Sequence, residues 1–510
     1  MPIKAFSKIK FEIYLETDSM KFNKLLIISM LVMMICCVSA VSATDINATD
    51  DITADEVSEV IEEVEIDDVS DGVVGEQNLV TASADTGKVN GVDYSNYFDT
   101  TSGALTNTAA TTLTFTGNFN EKTFQNFVIN RAVTINANGA TFNNLGFDLT
   151  ASGITLNGAT IIVDAPDGAD CIAINVTNSD NSVITNNVIT YTCNHENDAN
   201  YNHVIRVDES NNVTVSGNNI TAYLPLKNVD FNKPYPSIYT DLVAGVAVQS
   251  SNNFRFTNNR LLVNASEYVE GYPTLDAFII AGSTGAYIGN NTIIEIDPVT
   301  QEGDNNYLYA IDVYQCNDIT IDDNNIRLES KGGSIIPGTN NGTGTAYGIQ
   351  LTGGHTGVTI SNNDIYTSNN GPNAGIYSQN FLGETRLNIT GNTIYVEGNA
   401  GEHEWSLVTG MELGDDYVYV AYNNITVKNK ATYNDGDNAY GISYSQWTPN
   451  DHEQYIYSNN VTVINGKYAI YMSSSVPDSS EVAYNNLTTD YYAGDSAAHP
   501  NGDIYIHDNH

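Results

Sequence analysis

Residues 213–221 read VTVSGNNIT, and the pattern returns as ITNNVIT at 184–190, ISNNDIY at 360–366 and ITGNTIY at 389–395. Taking one asparagine of each copy as reference, eleven copies fall at Asn187, Asn218, Asn259, Asn291, Asn324, Asn363, Asn392, Asn423, Asn459, Asn485 and Asn509. Three residues before each stands an apolar residue, from Ile184 to Ile506, and two residues after stands Ile, Leu or Val in the ten copies that reach that far. The copies are spaced by 24 to 41 residues. Self-similarity at such a period is the mark of a solenoid, in which each unit buries its apolar side only by stacking on the next.

The spacing inside the motif fixes more. Side chains five apart on a continuous strand point to opposite faces, so Val215 and Ile220 cannot share a core unless the chain turns between them. Asparagine tolerates the left-handed backbone that such a turn needs, which assigns the corner to the reference asparagine. Upstream of the motif lies a second alternating run, such as GVAV at 245–248 or YGIQL at 347–351, and downstream a third, such as ITV. No helical period occurs in the repeats, which excludes TPR and HEAT arrays, and neither a leucine ladder nor propeller blade signals are present. The expected fold is all-β: a right-handed parallel β-helix solenoid of about 13 coils, each of three short strands. Stacked coils would set the ten asparagines from Asn187 to Asn485 one above another, each amide donating to one neighbour and accepting from the other.

The remainder of the chain reads as address and spacer. Residues 1–43 form a signal peptide, with Lys21 and Lys24 ahead of the apolar run Leu25–Val38 and small residues at 38–43; Met20 is the alternative start. The run is short for a membrane span, so none is expected in the mature chain. Residues 44–90 carry acidic clusters such as EVIEEVEIDDVSD and read as a solvated, disordered segment. Residues 91–510 form the solenoid. A net charge of −42 disfavours nucleic acid as a partner. Cys171 and Cys193 flank strand connections of adjacent repeats, which leaves a disulfide between them open, and nothing has zinc-like spacing. Among the Asn-x-Ser/Thr sequons, Asn264 and Asn341 lie in irregular segments and are the better glycosylation candidates.

Segments of variable length between the third strand of one coil and the first of the next absorb the changes in period. Loops on a rigid scaffold are where binding concentrates, and aromatic residues there stack on sugars or on protein partners. The candidate binding residues are Tyr223, Tyr235 and Tyr239 in the longest coil, with Trp405 and Trp447 further on. The His-Glu pairs at 195–196, 403–404 and 452–453, and Asp415–Asp416, fall at unmatched phases of the repeat and read as solvated acidic loops. No catalytic residue, metal site or cofactor is assigned.

The recurrent Asn motif, the signal peptide and the acidic, Asn- and Tyr-rich composition resemble the adhesin-like surface proteins of methanogenic archaea, within the wider pectate-lyase-like β-helix class. The resemblance covers residues 95–510 and implies an extracellular surface protein that mediates attachment; it supplies no catalytic residues. The expected function is therefore non-catalytic binding of surface glycans or neighbouring cells, with a polysaccharide lyase, hydrolase or epimerase on the same scaffold as the alternative. The sequence stops at Asn509–His510, one residue before the expected apolar position. An open coil there would favour end-to-end self-association.

Overall fold

Each copy of the repeat contributes one short strand before its corner asparagine, one after it and one further on, and these stack into three parallel faces. The structure is a computed structural model that describes residues 86–510 apart from 92–93, 167–170, 194–201, 229–242, 269–272, 302–304, 336–341, 380–384, 401–406, 432–437, 446–451, 473–478 and 500–504. The signal segment and most of the acidic segment, residues 1–85, lie outside the described residues.

The first face holds the strands that precede the corner, and it runs through fifteen strands from Thr86–Asn90 to Tyr505–His507. The second face holds the strands that follow the corner, such as Asn219–Pro225 and Arg260–Glu267, and the third holds the upstream runs, such as Ala244–Gln249 and Pro273–Ala281. The second and third faces join into a single 25-stranded sheet, because Thr141–Leu149 bends and pairs with both Thr160–Asp164 and Cys171–Thr177. Successive coils pair in parallel and in register, as in Val215 against Phe256 and Ile220 against Leu261. This is a parallel β-helix. The first face has more strands than the expected 13 coils because, besides the eleven that precede a reference asparagine, four lie before the first of these, Thr86–Asn90, Thr112–Thr116, Thr134–Asn136 and Thr155–Asn157, where no asparagine motif marks the coil.

Burial follows the parity argument. Ile360 and Ile365 are both fully buried on the two sides of Asn363, and Asp364 between them is exposed. The N-terminal end of the core is filled by phenylalanines, with the Phe119 and Phe142 rings stacked at 4.8 Å.

One expectation is corrected. The left-handed residue of the corner is the one before the reference asparagine: Asn186, Gly217, Asn258, Asn290, Asp323, Asn362, Gly391, Tyr422, Ser458, Tyr484 and Asp508 have φ between 54° and 70°. That residue absorbs the turn and faces outward, which leaves the reference asparagine pointing inward. There its carboxamide runs a continuous ladder. The Asn363 Oδ1 accepts from the backbone N–H of Asn324 at 3.0 Å and from its Nδ2 at 2.9 Å, and the Asn363 Nδ2 donates to Asn392 Oδ1 at 2.9 Å and to the Ile321 carbonyl at 2.9 Å. The same contacts link Asn187, Asn218, Asn259, Asn291, Asn324, Asn363, Asn392, Asn423, Asn459, Asn485 and Asn509. At one end Ala159 N–H donates to Asn187 Oδ1, and at the other the Asp495 carboxylate accepts both donors of Asn509, at 3.0 and 2.7 Å. Buried amides are costly unless paired, and here each is paired along the axis.

Candidate ligand-binding faces

The corner between the third and first faces carries a second stack that the sequence analysis did not find. The N–H of Ser179 donates to Ser210 Oγ, Ser210 to Ser251, Ser251 to Ser283, and Ser283 to Cys316 Sγ. All these residues stand eight before a reference asparagine, and in the later coils His355 and Asp415 hold that phase. His355 Nε2 lies 2.9 Å from Asp415 Oδ1 and 3.4 Å from Ser378 Oγ, and the Ser378 hydroxyl donates to Asp415 Oδ2. All three side chains are fully buried, so Asp415 is a strut of the corner and not a solvated loop residue. A Ser, a His and an Asp meet here, but both the hydroxyl and the carboxylate meet the same ring nitrogen and no substrate can reach them, so the group has no nucleophile geometry. Cys171, Cys193 and Cys316 are all buried and none is in a disulfide, so the bridge left open between the first two does not form. Burial pushes the Cys316 thiol up to about 12.

The outer side of the third face carries a stripe of polar and aromatic residues, one per coil: Asp312, Gln350, Tyr377, Glu412, Ser443, Tyr471 and His499. Gln350 Nε2 donates to Asp312 Oδ1 at 3.2 Å. The rings of Tyr347 and Tyr377 stack at 4.5 Å, as do those of Tyr440 and Tyr471. Stacked rings cover each other and turn only edges and hydroxyls outward. Burial pushes the carboxyls of Asp312 and Glu412 up to about 7. Asp276 and Glu295 are raised well above the carboxylate range, first by burial and then by Asp312 and Glu295 around Asp276 and by Asp297 beside Glu295. Glu295 points inward at a position that is Val263 one coil earlier and Leu328 one coil later, with the Ala277 backbone its one polar neighbour of favourable sign, and among the described residues no side-chain oxygen of Asp276 has a hydrogen-bond partner. The signal was present in TIIEID at 292–297, where a charge replaces an apolar residue of the alternation. Among the described residues no group of three or more His, Cys, Asp or Glu is placed to hold a metal ion.

The C-terminal part of the first face is the aromatic surface of the molecule. Tyr419, Tyr422, Tyr484 and Tyr505 are 39, 66, 57 and 61% exposed, and Tyr455 and Tyr457 lie among them. They are outward because strands of the first face alternate, with Val418 and Val420 inside and Tyr417 and Tyr419 outside. Tyr455 donates to Glu453 at 2.8 Å, and Tyr457 donates to Glu481, which also accepts from His507. A groove of about 270 Å³ opens between the coils here, lined by Thr359, Arg386, Asn388, Tyr417, Tyr419, Glu453 and Tyr455. The guanidinium of Arg386 lies 5.3 Å from the Tyr417 ring centre, and the His452 ring stacks on the same tyrosine at 4.0 Å.

Of the binding residues expected from sequence, the described residues include Tyr223 alone. Tyr223 is 42% exposed on the second face, far along the chain from the tyrosine surface. Tyr235, Tyr239, Trp405, Trp447 and Asn341 lie outside the described residues. The strands flanking position 405 are Thr393–Gly398 and Val408–Gly414, and those flanking 447 are Ala439–Tyr444 and Gln454–Tyr457. Asn264 sits half-buried within a second-face strand, and the hydroxyl of Ser266 in its sequon donates to the Cys193 carbonyl at 2.8 Å. Among the described residues no helix is long and apolar enough to cross a membrane.

No family model matches the chain, and no curated protein matches it in sequence. Among solved structures it is similar to PfbA, a surface adhesin of Streptococcus pneumoniae, at 14% identity and a TM-score of 0.46 over 72% of this chain and 87% of that one. It is also similar to the Dettilon tailspike protein, at 16% identity and 0.43 over 78% and 62%. A third is the catalytic domain of a GH87 alpha-1,3-glucanase in complex with nigerose, at 12% identity and 0.34 over 72% and 62%. Likeness this distant assigns no function.

Proposed function

We propose that this chain is an exported, non-catalytic surface protein of the adhesin-like kind, which attaches to the glycans of other cells or surfaces through the side of its solenoid. The observation that carries this reading is the tyrosine surface of the first face. Exposed large aromatic residues gathered on one rigid sheet cost free energy in water and are kept where they meet a ligand. Tyrosine suits sugars, offering an apolar ring to the CH face and a hydroxyl to the ring substituents.

The alternative, a polysaccharide-active enzyme, draws on the third-face carboxyls. Asp312 and Glu412 lie three coils apart, which at ~4.8 Å per coil is roughly 14 Å. Paired glycosidase carboxyls stand about 5–9.5 Å apart. Asp276 and Glu295 are fully buried, out of reach of a polymer. The test is binding of the secreted chain to a glycan array, run beside an assay for reducing ends and unsaturated products on every glycan that binds. Retention with no product supports attachment; steady release of product overturns it.

A further inference from the structure

We infer that the groove between Arg386 and Tyr455 is a binding site for an uncharged polysaccharide lying along the solenoid axis, an inference that rests on the attachment reading and gives its ligand a chemistry. The groove crosses successive coils of the first face. Its outer row is Thr359, Asn388, Tyr419 and Tyr455, which are aligned neighbours in the sheet. Arg386 pairs in register with Tyr417 beside that row, and Glu453 immediately precedes the strand Gln454–Tyr457. A groove built from one residue per coil repeats every ~4.8 Å, so it presents similar groups along a line. A linear polymer matches that line better than a compact ligand does.

The polar groups favour hydroxyls. A hydroxyl both donates and accepts. Arg386 offers donors, Glu453 offers acceptors, and Asn388, Thr359 and the tyrosine hydroxyls offer both. The Tyr455 ring stacks on that of Tyr457 at 5.7 Å and the Tyr419 ring meets Tyr457 edge to face at 6.3 Å, so the three form one aromatic cluster beside the groove, a surface suited to the apolar side of a sugar ring.

Charge excludes the acidic polymers. Within the groove one guanidinium faces one carboxylate, Arg386 held over Tyr417 and Glu453 held by the Tyr455 hydroxyl. Beyond it the chain carries a net charge of −42, whose field repels polyuronates and sulfated glycans. A cationic polymer would be drawn to the chain as a whole but would meet Arg386 inside the groove.

The experiment is affinity electrophoresis of the full chain in gels containing dextran, soluble β-glucan, mannan, polygalacturonate or chitosan, with the melting temperature of each variant measured alongside. Retardation by at least one neutral polysaccharide, reduced tenfold or more in Tyr419→Ala and in Tyr455→Ala with an unchanged melting temperature, is the expected result. Thr155→Ala, in the same outer row far from the groove, should bind as the parent does. Neutral binding that survives both tyrosine changes places the site elsewhere and overturns the inference. Retardation by polygalacturonate or chitosan alone overturns the ligand class but leaves attachment standing. No retardation by any of the five overturns the inference. The attachment reading fails as well only if the glycan array is also blank.

Discussion

Stability should fall as the pH rises through neutrality, and replacing one carboxyl should remove part of that fall. In the folded chain Asp312 holds its proton up to about 7, against an ordinary value of 3.8, because burial removes water that would solvate the anion. Below pH 4 both folded and unfolded chains carry the proton and the group contributes nothing. Between pH 4 and 7 the unfolded chain ionises while the folded one does not, so the folded state binds more protons and stability drops with each pH unit. At ~1.4 kcal/mol per unit, a gap of about three units amounts to ~4 kcal/mol, complete just above pH 7. Asp276 and Glu295 are raised in the same direction, so they add to the loss. The groups facing Asp312 are Asp276, the Tyr309 phenol and the Gln350 amide, so no cation offsets its charge among the described residues. Asp312→Asn keeps the shape and removes the titration. In urea unfolding it should match the parent at pH 4 and exceed it at pH 8 by up to ~4 kcal/mol, less whatever the parent recovers by local relaxation. Parallel stability curves for the two proteins from pH 4 to 8, or a less stable variant at pH 8, would refute the argument.

Three further outcomes follow from the corners and the core. Asn324→Ala strands the N–H and Nδ2 donors of Asn291 and withdraws a donor from Asn363 Oδ1. At roughly 1–3 kcal/mol for each buried group left unpaired, it should cost ~3 kcal/mol or more in denaturant unfolding. Tyr422 holds φ at 61°, so Tyr422→Gly should stabilise the chain by about 1 kcal/mol, read as a raised melting temperature, whereas Asn423→Gly beside it should destabilise. Ile360→Ala should cost ~2–5 kcal/mol and Asp364→Ala almost nothing, measured as the difference in urea midpoints.

The fold was legible because a solenoid states its rule once per coil. Two apolar positions on either side of an asparagine, in odd spacing, demand a turn, and the period of the asparagines gives the stacking. What the motif hid was which residue makes the turn. In four copies the residue before the reference is also Asn, at Asn186, Asn258, Asn290 and Asn362, and there the inward amide and the outward left-handed residue look interchangeable. The other seven copies separate them, since the residue before the reference is Gly217, Asp323, Gly391, Tyr422, Ser458, Tyr484 or Asp508 while the reference stays Asn. An invariant side chain with a variable neighbour belongs to the position where the side chain is used. The backbone torsion belongs to the neighbour, which glycine, serine and tyrosine fill alike because the turn is held by the sheets on both sides.

The candidate site was less legible for a related reason. Changes of period stand out in a sequence, which draws notice to the variable segments that hold Trp405 and Trp447, and these lie outside the described residues. The tyrosine surface instead sits inside the regular strands, as alternate residues in YVYV at 417–420 and QYIY at 454–457, where the apolar partners Val418, Val420 and Ile456 supply the core signal. An outward tyrosine in an alternating strand has the same period as a core residue, because parity alone does not say which of the two sets faces in. The reference asparagine does. Counted back from Asn423 and Asn459, Val420 and Ile456 stand at the inward third position, which forces Tyr419 and Tyr455 outward on adjacent coils. Applied to every copy, that count gives Val183, Thr214, Arg255, Tyr287, Thr320, Thr359 and Asn388 at the outward position and then Tyr419, Tyr455, Glu481 and Tyr505, so three of its four tyrosines fall in the last four copies. A surface that changes from threonine to tyrosine while the core beneath it keeps its Ile and Val is under a demand the fold does not make.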